Sequence, residues 1–468
     1  MEWMDSLKKV VGSDHVRTSS AHLLAYSYDA TAGFQAMPDA VVSPGSTEEI
    51  RQIMEICREH QVPLVPRGSG TNLAAGTAPT SGGVVLLFNR MNRILELDED
   101  NLCVRVQPGV LTLDLCDYVE GRGLFYPPDP SSMKISTIGG NVSENSGGLR
   151  GLKYGVTKDY VLGLTAVLPN GQVIKTGGKL AKDVAGYDLK ALLVGAEGTL
   201  GVITEILLKL IPKPEHQRTG IAYFQSLEAA AATVSEIISK RIIPATLEFL
   251  DRGTMDAVER FMDLGLPEEA EAMLLIEQDG EAGQVERDLS AMIDISVRNG
   301  AVITAVAETE EEAGQLKAGR RAALSALARK RPTTILEDAT VPRSEIANMV
   351  RKIREIAERN QVEIHTFGHA GDGNLHPTCL TDIRDNEEMV RVERAFAEIF
   401  EAAIDLGGTI TGEHGVGEMK SPYLQWKIGD EGIELMKTIK QAIDPLNICN
   451  PGKMFAKANK PRVVVAHG

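Results

Sequence analysis

Arg67-Gly68-Ser69-Gly70-Thr71-Asn72-Leu73 follows a short apolar run at 62–66 and invites a dinucleotide-binding reading. That reading fails on one residue: Leu73 stands where G-x-G-x-x-G needs its third glycine. No Lys-Ser/Thr pair follows, so the loop is not a P-loop either. A tight Gly-Ser-Gly-Thr turn still aims several backbone N–H groups at a pyrophosphate. Taken alone, it is equally an ordinary turn. Two further segments share its character. Ile138-Gly139-Gly140-Asn141-Val142-Ser143-Glu144-Asn145-Ser146-Gly147-Gly148 sets four glycines among small polar residues, after Pro127-Pro128-Asp129-Pro130. Gly195-Ala196-Glu197-Gly198-Thr199-Leu200-Gly201-Val202-Ile203 is the third. Turns or bulges explain any one of these; a large, flat, phosphate-bearing ligand approached closely by backbone explains all three.

Upstream of these loops, residues 40–66 read as strand, helix, strand. Ser46 and Glu49 have the S-x-x-E spacing of a capping box, and Ile50, Ile53, Met54 and Cys57 mark one helical face. Strands are expected at 164–168 and 172–175 around Pro169-Asn170-Gly171, where Asn-Gly accepts positive φ at both central positions of a hairpin. Ile211-Pro212-Lys213-Pro214 ends a strand at 203–210 and stiffens the crossing into a second unit. There, strands at 220–224, 246–250, 273–277 and 302–306 alternate with helical stretches that include 226–240 and 283–298, the rhythm of an α+β sheet with helices on one face. From Gly314 onward the chain reads mostly helical, broken by short strands at 334–337 and 362–367. The acidic run around Glu310, Glu311 and Glu312 follows Thr309, as the first turn of a helix favours. The expected division is an N-terminal helical segment over 1–37, a cofactor domain over 38–215, a second domain over 216–457 and a tail over 458–468.

Composition narrows the function classes. The 468-residue chain is 43% hydrophobic and carries a net charge of −16, which argues against nucleic acid or an anionic membrane as the main partner. Cys57, Cys103, Cys116, Cys379 and Cys449 include no C-x-x-C pair, so zinc-ribbon and iron–sulfur readings fail and a reducing compartment is expected. No apolar run approaches the length of a membrane span and Met1 to Gly12 has no signal-like core. The expectation is a cytoplasmic protein without direct membrane insertion, attached to a membrane only through another subunit.

On the motifs at 66–73, 129–148 and 195–203, residues 38–215 resemble the FAD-binding domain of the vanillyl-alcohol oxidase and p-cresol methylhydroxylase (PCMH) superfamily. The resemblance implies an α+β fold: a PCMH-type two-subdomain FAD-binding domain, then a ferredoxin-like α+β cap domain and a helical C-terminal segment. In that family the first loop holds the pyrophosphate and the later two flank the adenosine and isoalloxazine ends. It thereby implies FAD contacts from Arg67, Gly68, Ser69, Gly70, Thr71 and Asn72 in the first loop. The second would contribute Asp129, Pro130, Ile138, Gly139, Gly140, Asn141, Ser143 and Gly148, and the third Glu197, Gly198 and Ile203.

A second constellation lies near the C-terminus. Gly368-His369-Ala370-Gly371-Asp372-Gly373-Asn374-Leu375-His376 follows the strand at 362–367, and Gly371-Asp372-Gly373 reads as a reversal able to bring His369 and His376 together. Thr411-Gly412-Glu413-His414-Gly415-Val416-Gly417 is another glycine-framed loop. Two imidazoles and a carboxylate are a common ligand set for a catalytic divalent metal. Solvated decoration is the alternative, and His365 reads as buried by strand alternation, outside the site. These blocks resemble the C-terminal domain of FAD-linked D-2-hydroxy-acid dehydrogenases, and Asn450-Pro451-Gly452-Lys453-Met454-Phe455 is similar to their closing signature, which adds Asn450 to the cofactor residues. The resemblance implies that His369, His376 and Glu413 ligate Zn, Mn or Fe and that His414 is the base. Arg320 falls where relatives bind the substrate carboxylate. Lys317 stands where a Trp is common, and Arg321 is an equal rival.

The expected reaction is oxidation of a small D-2-hydroxy acid, glycolate or D-lactate, to the 2-oxo acid. The hydroxyl proton would go to His414, the hydride to FAD, and the electrons to an iron–sulfur subunit or an electron-transfer flavoprotein. D-2-hydroxyglutarate is the nearest alternative substrate; Thr334-Ile335-Leu336-Glu337-Asp338 offers no cation for its distal carboxylate, and Leu324 is apolar. A metal-dependent hydrolase using His369, His376 and Glu413 would leave three glycine loops without a purpose. A non-catalytic FAD carrier would leave the His414 loop idle.

Some members of the superfamily link FAD covalently through a His just after the paired glycines. Here Thr71 and Asn72 occupy that neighbourhood, and neither is a nucleophile toward a flavin methyl group. FAD is therefore expected to be non-covalent. Acid precipitation should leave a colourless pellet and a yellow supernatant; flavin fluorescence travelling with the denatured chain contradicts this.

Overall fold

The computed structural model describes residues 2–455, so the expected tail at 458–468 lies outside the described residues. The first helix, Glu2–Val11, buries Trp3, Leu7 and Val11 in the same apolar cluster as the helix Thr47–Glu59. That second helix begins as its sequence dictates. Ser46 Oγ accepts from Glu49 N at 3.1 Å, while the Glu49 carboxylate reaches back one residue further than a capping box, to Gly45 N at 2.7 Å. Its buried face is Ile50, Ile53, Met54 and Cys57. It connects Ala40–Val42 to Leu64–Arg67 in a four-stranded sheet, where both pair in parallel with Val84–Leu87.

A second, five-stranded antiparallel sheet runs in the order Ile94–Asp98, Cys103–Val106, Val202–Lys209, Val161–Val167, Val173–Gly177. Together with the four-stranded sheet it makes the two-subdomain PCMH-type architecture. The hairpin around Pro169-Asn170-Gly171 is present, but its turn differs from the expected one. Only Gly171 of the central pair has positive φ, +83°, and Leu168 O accepts from Gly171 N at 2.8 Å. Pro169 holds the first turn residue at negative φ, which selects a type I turn followed by a glycine bulge.

After Ile211–Pro212 the chain enters an eight-stranded sheet. Its main path is Ala301–Val306, His216–Phe224, Ala272–Gly280, Thr246–Asp251, Glu363–His369, Asn374–Thr381, Thr333–Leu336, and every pairing is antiparallel. The short strand Ala339–Thr340 also pairs with Asn374–Thr381. Period-2 alternation sends Ala222 and Phe224 into one apolar cluster and Ile221 and Tyr223 into another. The first is covered by Leu227–Ser239, Ala282–Arg298, Ile346–Asn360 and Asn386–Asp405. The expectation of helices on one face needs correction, because Arg252–Met262 and Ala323–Leu327 cover the other.

The region beyond Gly314 is also less helical than expected. Asn374–Thr381 is a fully buried strand that Pro377 disguises. Pro377, which has no N–H to give, stays in the sheet through its carbonyl, which accepts from Glu337 N at 3.1 Å, and on the neighbouring strand Thr366 N donates to the Asp251 carboxylate at 2.5 Å. Among the described residues, no helix is long and apolar enough to cross a membrane.

The chain closes on its own beginning. Leu64 N donates to Ile448 O and Leu64 O accepts from Asn450 N, both at 2.8 Å. Lys440, buried at the end of the helix Leu424–Ile443, bonds Thr199 O at 2.7 Å, Cys449 O at 2.9 Å and Asp444 at 2.5 Å. Replacing Lys440 with Met should leave Asp444 as an uncompensated buried charge and lower the unfolding free energy by about 3–5 kcal/mol. Guanidinium unfolding of FAD-loaded protein checks this; a change within error would show that the return segment is not held by this contact.

Candidate active site

Between the first glycine loop, which leaves the four-stranded sheet at Arg67, and the eight-stranded sheet lies a cleft of about 710 Å³. One wall is the first glycine loop, where Arg67, Gly68, Ser69, Gly70, Thr71 and Asn72 all line the space, with Pro130, Gly140 and Asn141 beside them. A narrow recess continues from it past Gly139, Ser143, Glu197, Gly198 and Ile203. The opposite wall brings Arg320, Arg321, Phe367, His376, Glu413 and His414. Four expected cofactor residues stand behind the walls. Asp129 is 1% exposed and holds Arg321 Nη2 at 3.2 Å. Gly148 packs on Asp129, Ile138 is core, and Asn450 Nδ2 ties Gly76 O and Glu197 O at 2.8 and 2.7 Å.

The first loop has the chemistry of an anion cradle. Among the described residues, no backbone N–H from Gly68 to Leu73 donates to a protein acceptor. Gly70 has φ +70°, and a Cβ there would strike the Arg67 guanidinium. That guanidinium faces inward, donating to Tyr28 O at 2.7 Å, so Arg67 supports the loop from behind. Free N–H groups on a turn that excludes side chains suit a pyrophosphate.

The metal-ligand candidates converge as the Gly371-Asp372-Gly373 reversal implied. His369 sits opposite Asn374 and His376 opposite Phe367, which places the two imidazole centroids 5.0 Å apart. The His414 ring stacks on His376 at 5.1 Å. All three Nε2 atoms point at one oxygen: Glu413 Oε1 lies 3.1 Å from His369, 3.3 Å from His376 and 3.7 Å from His414. All three Nδ1 atoms face buried carboxylates instead. Glu248 Oε1 is 2.7 Å from His369, and Asp338 Oδ1 is 3.1 Å from His376 and 2.8 Å from His414. An imidazole whose Nδ1–H is held by a carboxylate offers Nε2 as a lone pair, the arrangement of a carboxylate–histidine–metal site.

Electrostatics agree with a cation at this point. Burial pulls His369 down, but the Glu248 and Glu413 carboxylates outweigh it and hold the imidazole well above its ordinary pKa. Burial pushes Glu413 up, yet His369 and His376 hold it well below the usual carboxylate range. Asp338 likewise stays well below that range against its burial, held by His414 and Lys420. The His369, His376 and Glu413 ligand atoms lie within 4.8 Å of one another, a compact N,N,O set.

Several residues of the site escaped the sequence reading. Glu248, in Thr246–Asp251, shows only as an acid in an apolar strand, and Asp338 as one of two acids in the connection between Thr333–Leu336 and Ala339–Thr340. Asp338 Oδ2 also accepts from the backbone of Gly412, Glu413 and His414 at 3.0, 3.2 and 3.1 Å. Lys420, fully buried, approaches Glu337 at 3.1 Å and Asp338 at 3.5 Å. His365 is half-buried rather than buried, and its Nε2 contacts Glu363 at 2.9 Å and Lys330 at 3.1 Å, away from the cluster.

Both rival arginines line the cleft. Arg320 lies 2.6 Å from Glu248 Oε2 and 4.8 Å from the Phe367 ring, with its Nη2 buried and without an acceptor. Arg321 is engaged by Asp129. Leu324 and Leu336 face the same space.

Comparison with known proteins matches residues 38–177 to the FAD binding domain family and residues 213–454 to the FAD linked oxidases, C-terminal domain. The chain is 64% identical to glycolate oxidase subunit GlcD of Bacillus subtilis over 98% of both chains. It is 36% identical to a D-lactate dehydrogenase of Anaerostipes hadrus, over 96% of this chain and 95% of that one. A p-cresol methylhydroxylase structure superposes with a TM-score of 0.80 at 18% identity, over 98% of this chain and 97% of that one.

Replacing His369 or His376 with Ala should lower bound metal and activity together while flavin remains bound. Metal analysis of both purified variants checks this; wild-type content in both would reject the ligand assignment.

Proposed function

The chain belongs to the FAD-linked oxidases, in the group that holds glycolate oxidase subunit GlcD and D-lactate dehydrogenases, and on that basis we propose that it oxidises glycolate or D-lactate to the 2-oxo acid. It is an FAD-dependent 2-hydroxy-acid dehydrogenase. The observation that carries the substrate reading is the cleft wall, where an arginine with an unpaired buried donor stands beside His414 and apolar Leu324 and Leu336.

FAD bound along the glycine loops supplies a hydride acceptor, and a divalent cation held by His369, His376 and Glu413 supplies Lewis acidity toward the substrate oxygens. Arg320, through Nη2, takes the substrate carboxylate, with Arg321 as its neighbour on the same wall. His414 accepts the hydroxyl proton at Nε2, because its Nδ1 is directed to Asp338. Asp338 stays ionised against its burial and so stabilises the imidazolium that forms. Leu324 and Leu336 offer no cation to a second, distal carboxylate, which favours a small acid over D-2-hydroxyglutarate. FAD is held without a covalent bond in this reading, since Thr71 and Asn72 line the loop.

The electrons leave through a partner. Relatives are named subunits. The five cysteines here are all buried and unpaired, and none belongs to the metal-ligand groupings. An iron–sulfur subunit or an electron-transfer flavoprotein is the chemical class required.

Anaerobic flavin reduction by a panel of D- and L-2-hydroxy acids tests the substrate class; a flavin reduced by none of them refutes it. His414→Ala should retain both metal and FAD and slow flavin reduction by roughly 10²–10⁴-fold, the scale of a positioned base. Reduction at near the wild-type rate would remove His414 from the mechanism.

A further inference from the structure

The loop that carries Glu413 and His414 is fastened by two buried carboxylates from opposite sides of the cleft. Asp338, from the eight-stranded sheet side, takes the N–H groups of Gly412, Glu413 and His414. Glu197, from the third glycine loop of the FAD domain, takes those of Val416 and Gly417, each at 2.7 Å. Five backbone donors within six residues are thus divided between two domains.

Glu197 is held in this role at a conformational cost. It adopts φ +50°, a left-handed conformation that a side chain disfavours, and its own backbone is pinned at both ends. Its N–H donates to Ser143 O at 2.9 Å and its C=O accepts from Asn450 Nδ2 at 2.7 Å. The loop it grips is shaped to fit. Gly415 has φ +78° and a Cβ there would strike the Glu144 carboxylate, while at Gly417 a Cβ would strike the Ala74 carbonyl. Glu197 also lines the recess that continues the flavin cleft, so whatever fills that recess restricts the same residue.

We propose that Glu197 is a positioning residue that fastens the Glu413–His414 loop to the flavin loops, so that FAD and the metal each bind more tightly when the other is present. The inference rests on the reading of His369, His376 and Glu413 as metal ligands. FAD bound along the recess immobilises Glu197, and the two N–H bonds carry that order to the loop bearing Glu413. Linkage makes the effect reciprocal.

The test titrates Mn²⁺ and Zn²⁺ into metal-stripped protein, FAD-free and FAD-saturated, for wild type, Glu197→Gln and Glu197→Gly. The amide keeps the size but turns a donor toward a donor. Glycine removes the latch at a backbone angle it adopts freely, so loss of folding is not built into it. Wild type should bind metal roughly tenfold more tightly with FAD than without, and both variants should bring that ratio to about one. Amide hydrogen exchange of FAD-loaded protein should show Val416 and Gly417 exchanging at least about tenfold faster in the variants, with Gly412 to His414 still protected by Asp338. A wild-type ratio of one, an undiminished ratio in the variants, or unchanged exchange at Val416 and Gly417 overturns the proposal. Wild type that binds neither metal under any condition refutes the ligand assignment and the coupling together, and the exchange contrast then decides the latch by itself.

Discussion

Asp338 is entirely buried, and its two oxygens organise most of the catalytic wall. One faces the Nδ1 atoms of His376 and His414; the other collects the Thr411 hydroxyl and three consecutive backbone N–H groups. An unpaired carboxylate in such a place would be prohibitive, and here Lys420 and the donor set offset its desolvation. Each of these donors is positioned by the same acceptor, so losing it would free His376, His414 and the backbone of Gly412 to His414 together.

Glu248 repeats the device on a smaller scale. It lies between His369 and Arg320, so one carboxylate orients both a metal-ligand candidate and a substrate-binding candidate. This explains why the wall can be rigid although its components come from a hairpin, a loop and a helix end. The glycine loops opposite achieve their shape differently, by leaving side chains out.

The glycine loops and the His–Glu blocks were legible because their chemistry is local: the residues that form each loop are neighbours in sequence. Gly371-Asp372-Gly373 likewise announced the reversal that joins His369 to His376. Asp338 and Glu248 were not legible, since their partners lie 76 and 121 residues away for His414 and His369. Glu248 shows only as a break in the pattern of an apolar strand, and Asp338 only as an acid in a two-residue connection. Asn374–Thr381 was hidden by Pro377, which joins the sheet through its carbonyl alone, accepting from Glu337 N at 3.1 Å, a contact no window of sequence contains. Glu197 was read as a cofactor residue from its loop; the hydrogen bonds to Val416 and Gly417 add a second attachment.

The return of residues 448–450 to Leu64 bears on the order of synthesis. The backbone of Leu64, beside the first glycine loop, finds its edge partners in Ile448 and Asn450, and the carbonyls of Gly76, Ala78, Glu197 and Thr199 take their donors from Asn450, Lys453 and Lys440. These partners leave the ribosome nearly four hundred residues after Leu64 does. A nascent chain that already displays all three glycine loops still lacks the segment that fixes two of them. The flavin cleft is therefore completed only after residues 440–453 have been made, so the eight-stranded sheet lies in sequence between the glycine loops and the short segment that fastens two of them.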